Sequence, residues 1–392
     1  MDKRVYLLMV ISFVVGMVEL IIGGILDLIA EDLDVSLGKA GFLITIFSLI
    51  FAIASPILLI LTAGIERKRL TTISLFIFLL GNIITVFSPT YTVLFIGRIV
   101  SATSGALLII LCLTLAPSIV DPKYRGRAIG IVSMGVSASI VLGIPIGLIL
   151  GNLFSWRAPF VLITILTALS IFFVHFFMDR VAPKPSIPLR KQLATLKNRK
   201  IFFGQATTFL FLAGHSVLYA YFTPFVKETL GLGGTWISII YLLFGIAAVS
   251  GGGFGGTLAD TIGAKQTVLT SIIVYGIAII ALPFTTFYLP VFLINMVLWG
   301  ATNWSISPPM QSYLINTSPE TSDVQQGLNN SALHLGIAIG SFIGGLVIEQ
   351  ASIHYNPFIG ALVIVFALVT ALISMYDEFP LFNRGRYKRT RV

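Results

Sequence analysis

Of 392 residues only one is a cysteine, Cys112, which excludes an internal disulfide and reads as a small buried hydrophobe in an apolar run. Charge is nearly as scarce. Asp, Glu, Lys and Arg make up 10% of the chain against 56% hydrophobic residues, a balance that a water-soluble surface cannot hide. There is no GxxxxGK-Ser/Thr phosphate loop, which excludes P-loop ATP hydrolysis as the energy source. HExxH, a nucleophile elbow and paired acids at one depth are missing too, so an enzyme is not expected. No cofactor and no metal are expected. The first apolar run carries no small-residue cleavage site and is too long for a signal-peptide core, so it is expected to remain as a helix, with Met1 opening the mature chain.

Long apolar runs are what the chain does have. Crossing ~30 Å of hydrocarbon takes about 20 apolar residues per helix. Twelve such runs are bounded by charges, Gly or Pro, from 5–29 through 201–226 to 357–376. The expected fold is therefore an all-α integral membrane protein with twelve transmembrane helices. Lys and Arg concentrate in alternate loops: with the N-terminus inside, 21 of 25 lie on the cytoplasmic side. Only Lys39, Arg157 and Lys227 lie outside, and Arg98 lies within the membrane. Both termini are then cytoplasmic. The net charge of +9 reports topology rather than nucleic-acid binding.

The chain is also duplicated. LGIPIGLILG at Leu142 to Gly151 returns 193 residues later as LGIAIGSFIG at Leu335 to Gly344, and ILTAGIERK at Ile60 to Lys68 answers TLADTIGAK at Thr257 to Lys265. This predicts two pseudo-symmetric six-helix bundles, at 1–178 and 201–378, joined by a polar cytoplasmic linker at 179–200 and followed by a basic tail at 379–392. Parallel repeats around a midplane cavity are one way secondary transporters are built. Gly251 with Gly255, and Gly252 with Gly256, have the small-xxx-small spacing of close helix packing.

Intramembrane charges show where an ion gradient acts on such a scaffold. A charge at the bilayer centre costs at least ~2.5 kcal/mol on insertion scales, so it is expected to be paired, cavity-facing and functional. Glu19 in the first helix and Arg98 in the fourth stand out. Counting from the outer helix ends, at ~1.5 Å per residue they lie about 15 and about 11 Å deep, a match that allows pairing. The pair is either a proton-coupling site or a structural tie between the two helices. Asp27 is a weaker candidate, near the helix end where water reaches it.

Polar residues recur at four-residue spacing on three helices, which places them on one face of each. Helix seven carries Thr207, Phe211, His215, Tyr219 and Thr223; helix ten carries Asn295, Trp299, Asn303, Ser307 and Gln311; helix eleven carries Gln326, Asn330 and His334. Facing lipid, these stripes would be costly, so they are expected to line a shared wet cavity, although individual members can instead bond neighbouring helices. Aromatic faces beside amides suit a small planar, polar, uncharged solute: Trp299 or Tyr219 stacks on a ring while Asn303, Gln311 or Asn330 bonds its edge. His215 and His334 fit hydrogen bonding, proton carriage or packing equally.

Several segments resemble a known family. GRIVSATSGA at Gly97 to Ala106 resembles the helix-four motif of major facilitator transporters, and GVSASIVLGIPIG at Gly135 to Gly147 the helix-five motif of major facilitator antiporters. GGTLADTIGAK at Gly255 to Lys265 resembles the superfamily's loop motif, and Trp156 with Arg157 its WR pair. Within the superfamily the chain resembles the drug:proton antiporter-1 branch. VGMVELIIGGIL at Val15 to Leu26, LTAGIERKRL at Leu61 to Leu70, LAGHSVLYAYFTPF at Leu212 to Phe225 and QSYLI at Gln311 to Ile315 look most like bacterial purine base and nucleoside efflux pumps. That resemblance implies a monomer in the bacterial cytoplasmic membrane that exports purines by alternating access in exchange for protons. It assigns Glu19 to proton coupling with Arg98 as its partner, and Asp260, Gly263 and Lys265 to the loop latch. Gly143, Pro145 and Gly147 would bend helix five, while multidrug or sugar efflux remains the alternative on the same scaffold. The first-half loop motif departs from the pattern, with Ala63 facing Asp260 across the repeat and Glu66 where glycine is usual. Asp27 stands where proline is expected.

Overall fold

The computed structural model describes residues 2–183 and 188–376. The expected tail at 379–392 lies outside the described residues, as do the last two positions of the second bundle. Among the described residues the chain is all-helical, with twelve helices long and apolar enough to cross a membrane. They are α1 (Lys3–Gly24), α2 (Leu37–Leu61), α3 (Arg67–Val86), α4 (Tyr91–Ser118), α5 (Arg125–Leu153) and α6 (Ala158–Phe177), then α7 (Arg199–Tyr219), α8 (Thr235–Ile262), α9 (Ala264–Thr285), α10 (Leu289–Thr317), α11 (Pro319–Gln350) and α12 (Ile353–Met375). An even number of spans brings the start of α1, the 179–200 linker and the end of α12 to one face of the membrane, here the terminal face; the opposite one is the far face.

Local sequence sets the helix ends. Ser36 caps α2 by accepting from the Lys39 N–H at 3.1 Å. Glu66 caps α3 through the N–H groups of Lys68 and Arg69, and also accepts from Val181 N–H, pinning the start of the linker to this loop. That gives the departure from glycine at 66 a structural reason. Gly263 sits at φ 92°, a left-handed conformation that favours glycine, between α8 and α9.

Two expected spans are interrupted. α1 stops at Gly24 and resumes, after Ile25, as the short helix Leu26–Asp32, while α7 stops at Tyr219 and resumes as Phe222–Leu230. The sequence runs 5–29 and 201–226 predict unbroken helices because both stay apolar through the break. The freed backbone is re-satisfied across the molecule: Thr223 Oγ1 donates to Gly24 O at 3.1 Å and the Tyr241 hydroxyl to Gly23 O at 3.4 Å.

In lipid there is little hydrophobic drive between helices, so backbones must come close. A Cβ built on Gly336, Gly340 or Gly344 of α11 would lie 2.3, 2.1 or 2.4 Å from a carbonyl oxygen of α7. Gly251 and Gly255 of α8 fit as tightly against Ala301 and Ser305 of α10, whereas Gly252 and Gly256 meet nothing nearer than 3.8 Å. Only one of the two predicted small-residue faces is therefore packed. In α5 the helix passes through a π-turn at Ser139–Gly143 just before Pro145, whose missing N–H cannot bond back to Val141.

The halves meet toward the far face. Thr45 and Ser341 share a hydrogen bond of 2.9 Å, Ser36 donates to Glu349 at 2.7 Å, and Thr223 donates to Gly24 O at 3.1 Å. Lys227 pairs with Asp27. Toward the terminal face Leu61 is 73% and Phe254 65% exposed, so neither is covered by the other half.

Candidate transport site

The cleft between the halves opens at the terminal face, and polar residues on α10 and α11 become steadily more buried along it. Gln311 and Gln326 are exposed, Ser307, Asn303 and Asn330 are half-buried, and His334 is buried at the floor. Amides graded in this way are bathed at one end and enclosed at the other, as a solute path requires.

At that floor α1 meets α11. His334 Nδ1 lies 3.3 Å from Glu19 Oε1, a contact between halves, and the side chains are 6% and 18% exposed. Phe51 of α2 covers the imidazole at 4.1 Å between centroids. The expected Glu19–Arg98 ion pair is not made among the described residues. Arg98 is fully buried and gives Nη1 to Val18 O at 2.8 Å, while its guanidinium lies over the Phe47 ring at 4.1 Å. Matching depth was correct, but the backbone carbonyl beside Glu19 and an aromatic face take the cation in place of the carboxylate. Arg98 Nε and Nη2 have no protein acceptor, so its charge still bears on the floor without being bonded to Glu19.

Aromatic residues gather in the second half. Tyr219 stacks on His215 at 4.7 Å, and Trp299 lies 5.4 Å from His215 and 5.0 Å from Phe244. His215 Nδ1 is 2.8 Å from the Tyr275 hydroxyl, and its Nε2 is 3.5 Å from Asn303 Nδ2. Asn303 Oδ1 is buried with no protein donor. An aromatic wall next to an unused acceptor is equipped to take a flat ring and bond its edge.

The predicted stripe on α7 is corrected in part. Phe211 is fully buried against Tyr275, Thr207 bonds Phe203 O and Thr370, and Thr223 bonds Gly24 O, so these hold helices together and do not line the cleft. On α10, Asn295 likewise spends its amide on Ala278 O at 2.9 Å. Trp299 is fully buried, packed against His215, Tyr219 and Phe244. Four-residue spacing identifies a polar face but cannot say whether that face meets water or a neighbouring helix.

Asp260, Gly263 and Lys265 sit exposed at the terminal face, and Asp260 and Lys265 bond nothing among the described residues, so no loop latch is formed here. Gly143 and Gly147 face Met17 and Ile21 of α1, and with Pro145 they border the π-turn. Missed by sequence reading were Phe47 and Phe51, whose four-residue spacing on an apolar helix carries no polar signal. Missed as well was the buried amide network in which Asn329 donates to Gln205 and Thr208, at 3.0 and 2.7 Å.

Two repeated six-helix halves, a cleft between them open at one face, and charged and amide groups at its floor define a secondary transporter. The chain belongs to the Major Facilitator Superfamily, whose sequence profile matches residues 8–331 and 206–381. It is therefore a multi-pass membrane transporter, from a family that moves solutes and does not catalyse reactions. It is 34% identical to the uncharacterized MFS-type transporter YbcL of Bacillus subtilis (strain 168), with 96% of each chain covered. It is 26% identical to the inner membrane transport protein YdhP of Escherichia coli (strain K12), over 93% of each. A probable sugar efflux transporter of Mannheimia succiniciproducens is also 26% identical, over 96% of this chain and 94% of the relative. Among solved structures, a bacterial homologue of the human lysosomal transporter Spinster, in an inward-facing and occupied conformation, superposes with a TM-score of 0.81 at 16% identity, covering 95% and 96%.

Proposed function

We propose that the protein is a proton-coupled exporter of small planar polar solutes, with purine bases and nucleosides as the substrate class. The observation that carries this reading is the Glu19–His334 contact between the two halves, at the floor of a cleft lined by amides and an aromatic wall. The basic loops favour a terminal face in the bacterial cytoplasm with both chain ends, and on that reading the cleft described above faces inward. A planar solute enters from that side, stacks at Tyr219 and bonds the free Asn303 oxygen, Ser307 or Asn330. With Glu19 ionised the solute-loaded halves rock outward; a proton arriving from the far face then neutralises the carboxylate beside His334 and Arg98, and the emptied, protonated protein rocks back. The proton then leaves to the cytoplasm when the cleft next opens inward, and solute moves out against proton entry.

Reconstituted liposomes test this with radiolabelled hypoxanthine, adenine and guanosine, with and without an imposed pH gradient, beside Glu19→Gln. Gradient-driven flux is expected from the wild type, and the variant should keep exchange but lose accumulation. Normal uphill export by Glu19→Gln would refute the proton assignment. Sugar flux with no purine flux would move the substrate to the class named for the Mannheimia relative, and antibiotic or dye flux would move it to multidrug efflux.

A further inference from the structure

A second cavity, of about 500 Å³, lies away from the transport cleft at the far face, between α2, α4 and α11. Its inner wall is aromatic: Phe42 stacks on Phe95 at 5.8 Å with rings 9° apart, and meets Phe342 edge-on at 6.1 Å. Its rim carries two exposed charges from opposite halves, Lys39 in the first turn of α2 and Glu349 at the end of α11. Neither is used up by the other. Lys39 Nζ lies over the Tyr91 ring at 5.1 Å, and Glu349 accepts the Ser36 hydroxyl at 2.7 Å.

We propose that this cleft binds an aminophospholipid. One acyl chain lies along Phe42, Phe95 and Phe342, the phosphate sits at Lys39, and the primary ammonium donates to Glu349. The charges stand at the helix ends, at headgroup level, and the rings lie one to two turns deeper, at acyl level. An amphiphile of that order, with one positive and one negative group in its head, complements the site from rim to wall. A phosphatidylglycerol head would leave Glu349 beside a phosphate with no cation, and a choline head has no N–H to give. Because Phe42 and Phe95 belong to one half and Phe342 and Glu349 to the other, the complete site exists only while the far face is closed. Bound lipid therefore favours that closed state.

The full chain in nanodiscs of mixed phosphatidylethanolamine and phosphatidylglycerol, released for native mass spectrometry, tests the assignment. Wild type should retain phosphatidylethanolamine about tenfold over phosphatidylglycerol; Glu349→Gln should erase that preference, and Lys39→Gln should weaken retention of both lipids. Leu346→Trp, which fills the cleft, should expel the lipid whatever its head. Equal retention of both lipids by wild type and Glu349→Gln would overturn the proposal, as would equal retention when phosphatidylcholine replaces phosphatidylethanolamine. Lys39 and Glu349 are both exposed, so the charge variants keep the test decisive if Leu346→Trp does not fold.

Discussion

The two halves repeat one glycine pattern and use it differently. In the first half Gly143 and Gly147 of α5 face the side chains of Met17 and Ile21 on α1, and Gly151 faces that of Ile25 just beyond it; in the second, Gly336, Gly340 and Gly344 of α11 lie against the main chain of α7. Pro145 follows a π-turn in α5, while Ala338 at the equivalent place leaves α11 a regular helix. The chemistry divides too. The first half supplies Glu19 and Arg98, and the second supplies the aromatic wall, the amides and both candidate histidines. A duplicated scaffold thus gives the halves one shape but different side chains, and under the proposed function separate tasks, ionisation on one side and solute recognition on the other, which meet where Glu19 contacts His334.

The largest effect that tests this contrast comes from adding a methyl group to matched glycines. In Gly340→Ala the new carbon would start 2.1 Å from Ala213 O, part of a backbone that cannot move aside, and a loss of about 3 kcal/mol is expected. In Gly147→Ala it meets the tip of Ile21 at 2.0 Å, which can rotate away, and the gain in helix propensity offsets much of the strain, leaving about 1 kcal/mol or less. Thermal unfolding of the full chain in detergent reads the difference. Equal losses in the two variants would mean that both stripes pack alike and that the contrast between halves is superficial.

That contrast also shows what could be read from sequence. Twelve spans, two repeats and the WR pair were legible because they are patterns of composition and spacing, and hydrocarbon imposes them strictly. The break in α1 was not, because the partners that satisfy its freed carbonyls, Thr223 and Tyr241, come from the other half of the fold. The same limit applied at the floor: Glu19 and Arg98 were identified as costly intramembrane charges, but His334 as the neighbour of Glu19 depends on how α11 docks against the other half. Spacing within a helix reveals a face, and only packing reveals what that face meets.

A smaller effect tests whether the halves share the work of closing the far face. Lys227 and Asp27 pair across the two interrupted helices, with side chains 37% and 21% exposed. Such a pair is worth about 1 kcal/mol or less. Lys227→Gln and Asp27→Asn should each move the population severalfold toward the open far face, and the double variant should go no further. Distances between spin labels at positions 31 and 233 measure this. Additive effects of the two variants would show that each residue acts within its own half.

The smallest effect concerns the loops that cap each half at the far face. Asp32 accepts the Trp156 indole N–H at 2.8 Å and Arg157 Nη1 at 2.8 Å, and Arg157 also donates to Ser88 O. The equivalent place in the second half holds Glu228 and His354 at 3.3 Å, where the base is a cation only when protonated. Hydrogen bonds from Trp156 and then Arg157 hold the Asp32 carboxyl below its ordinary range. A lowered pKa contributes stability above the unfolded value, about 3.9, and that contribution is lost as pH falls through the folded value. With Asp32 45% exposed, the discounted worth is about 0.5 kcal/mol. Asp32→Asn should therefore unfold slightly below wild type at pH 7, and the gap should narrow as pH drops under about 4. A gap that stays constant down to that pH would show that Asp32 holds Trp156 and Arg157 by shape, and that the first-half cap differs from its counterpart in geometry and not in charge.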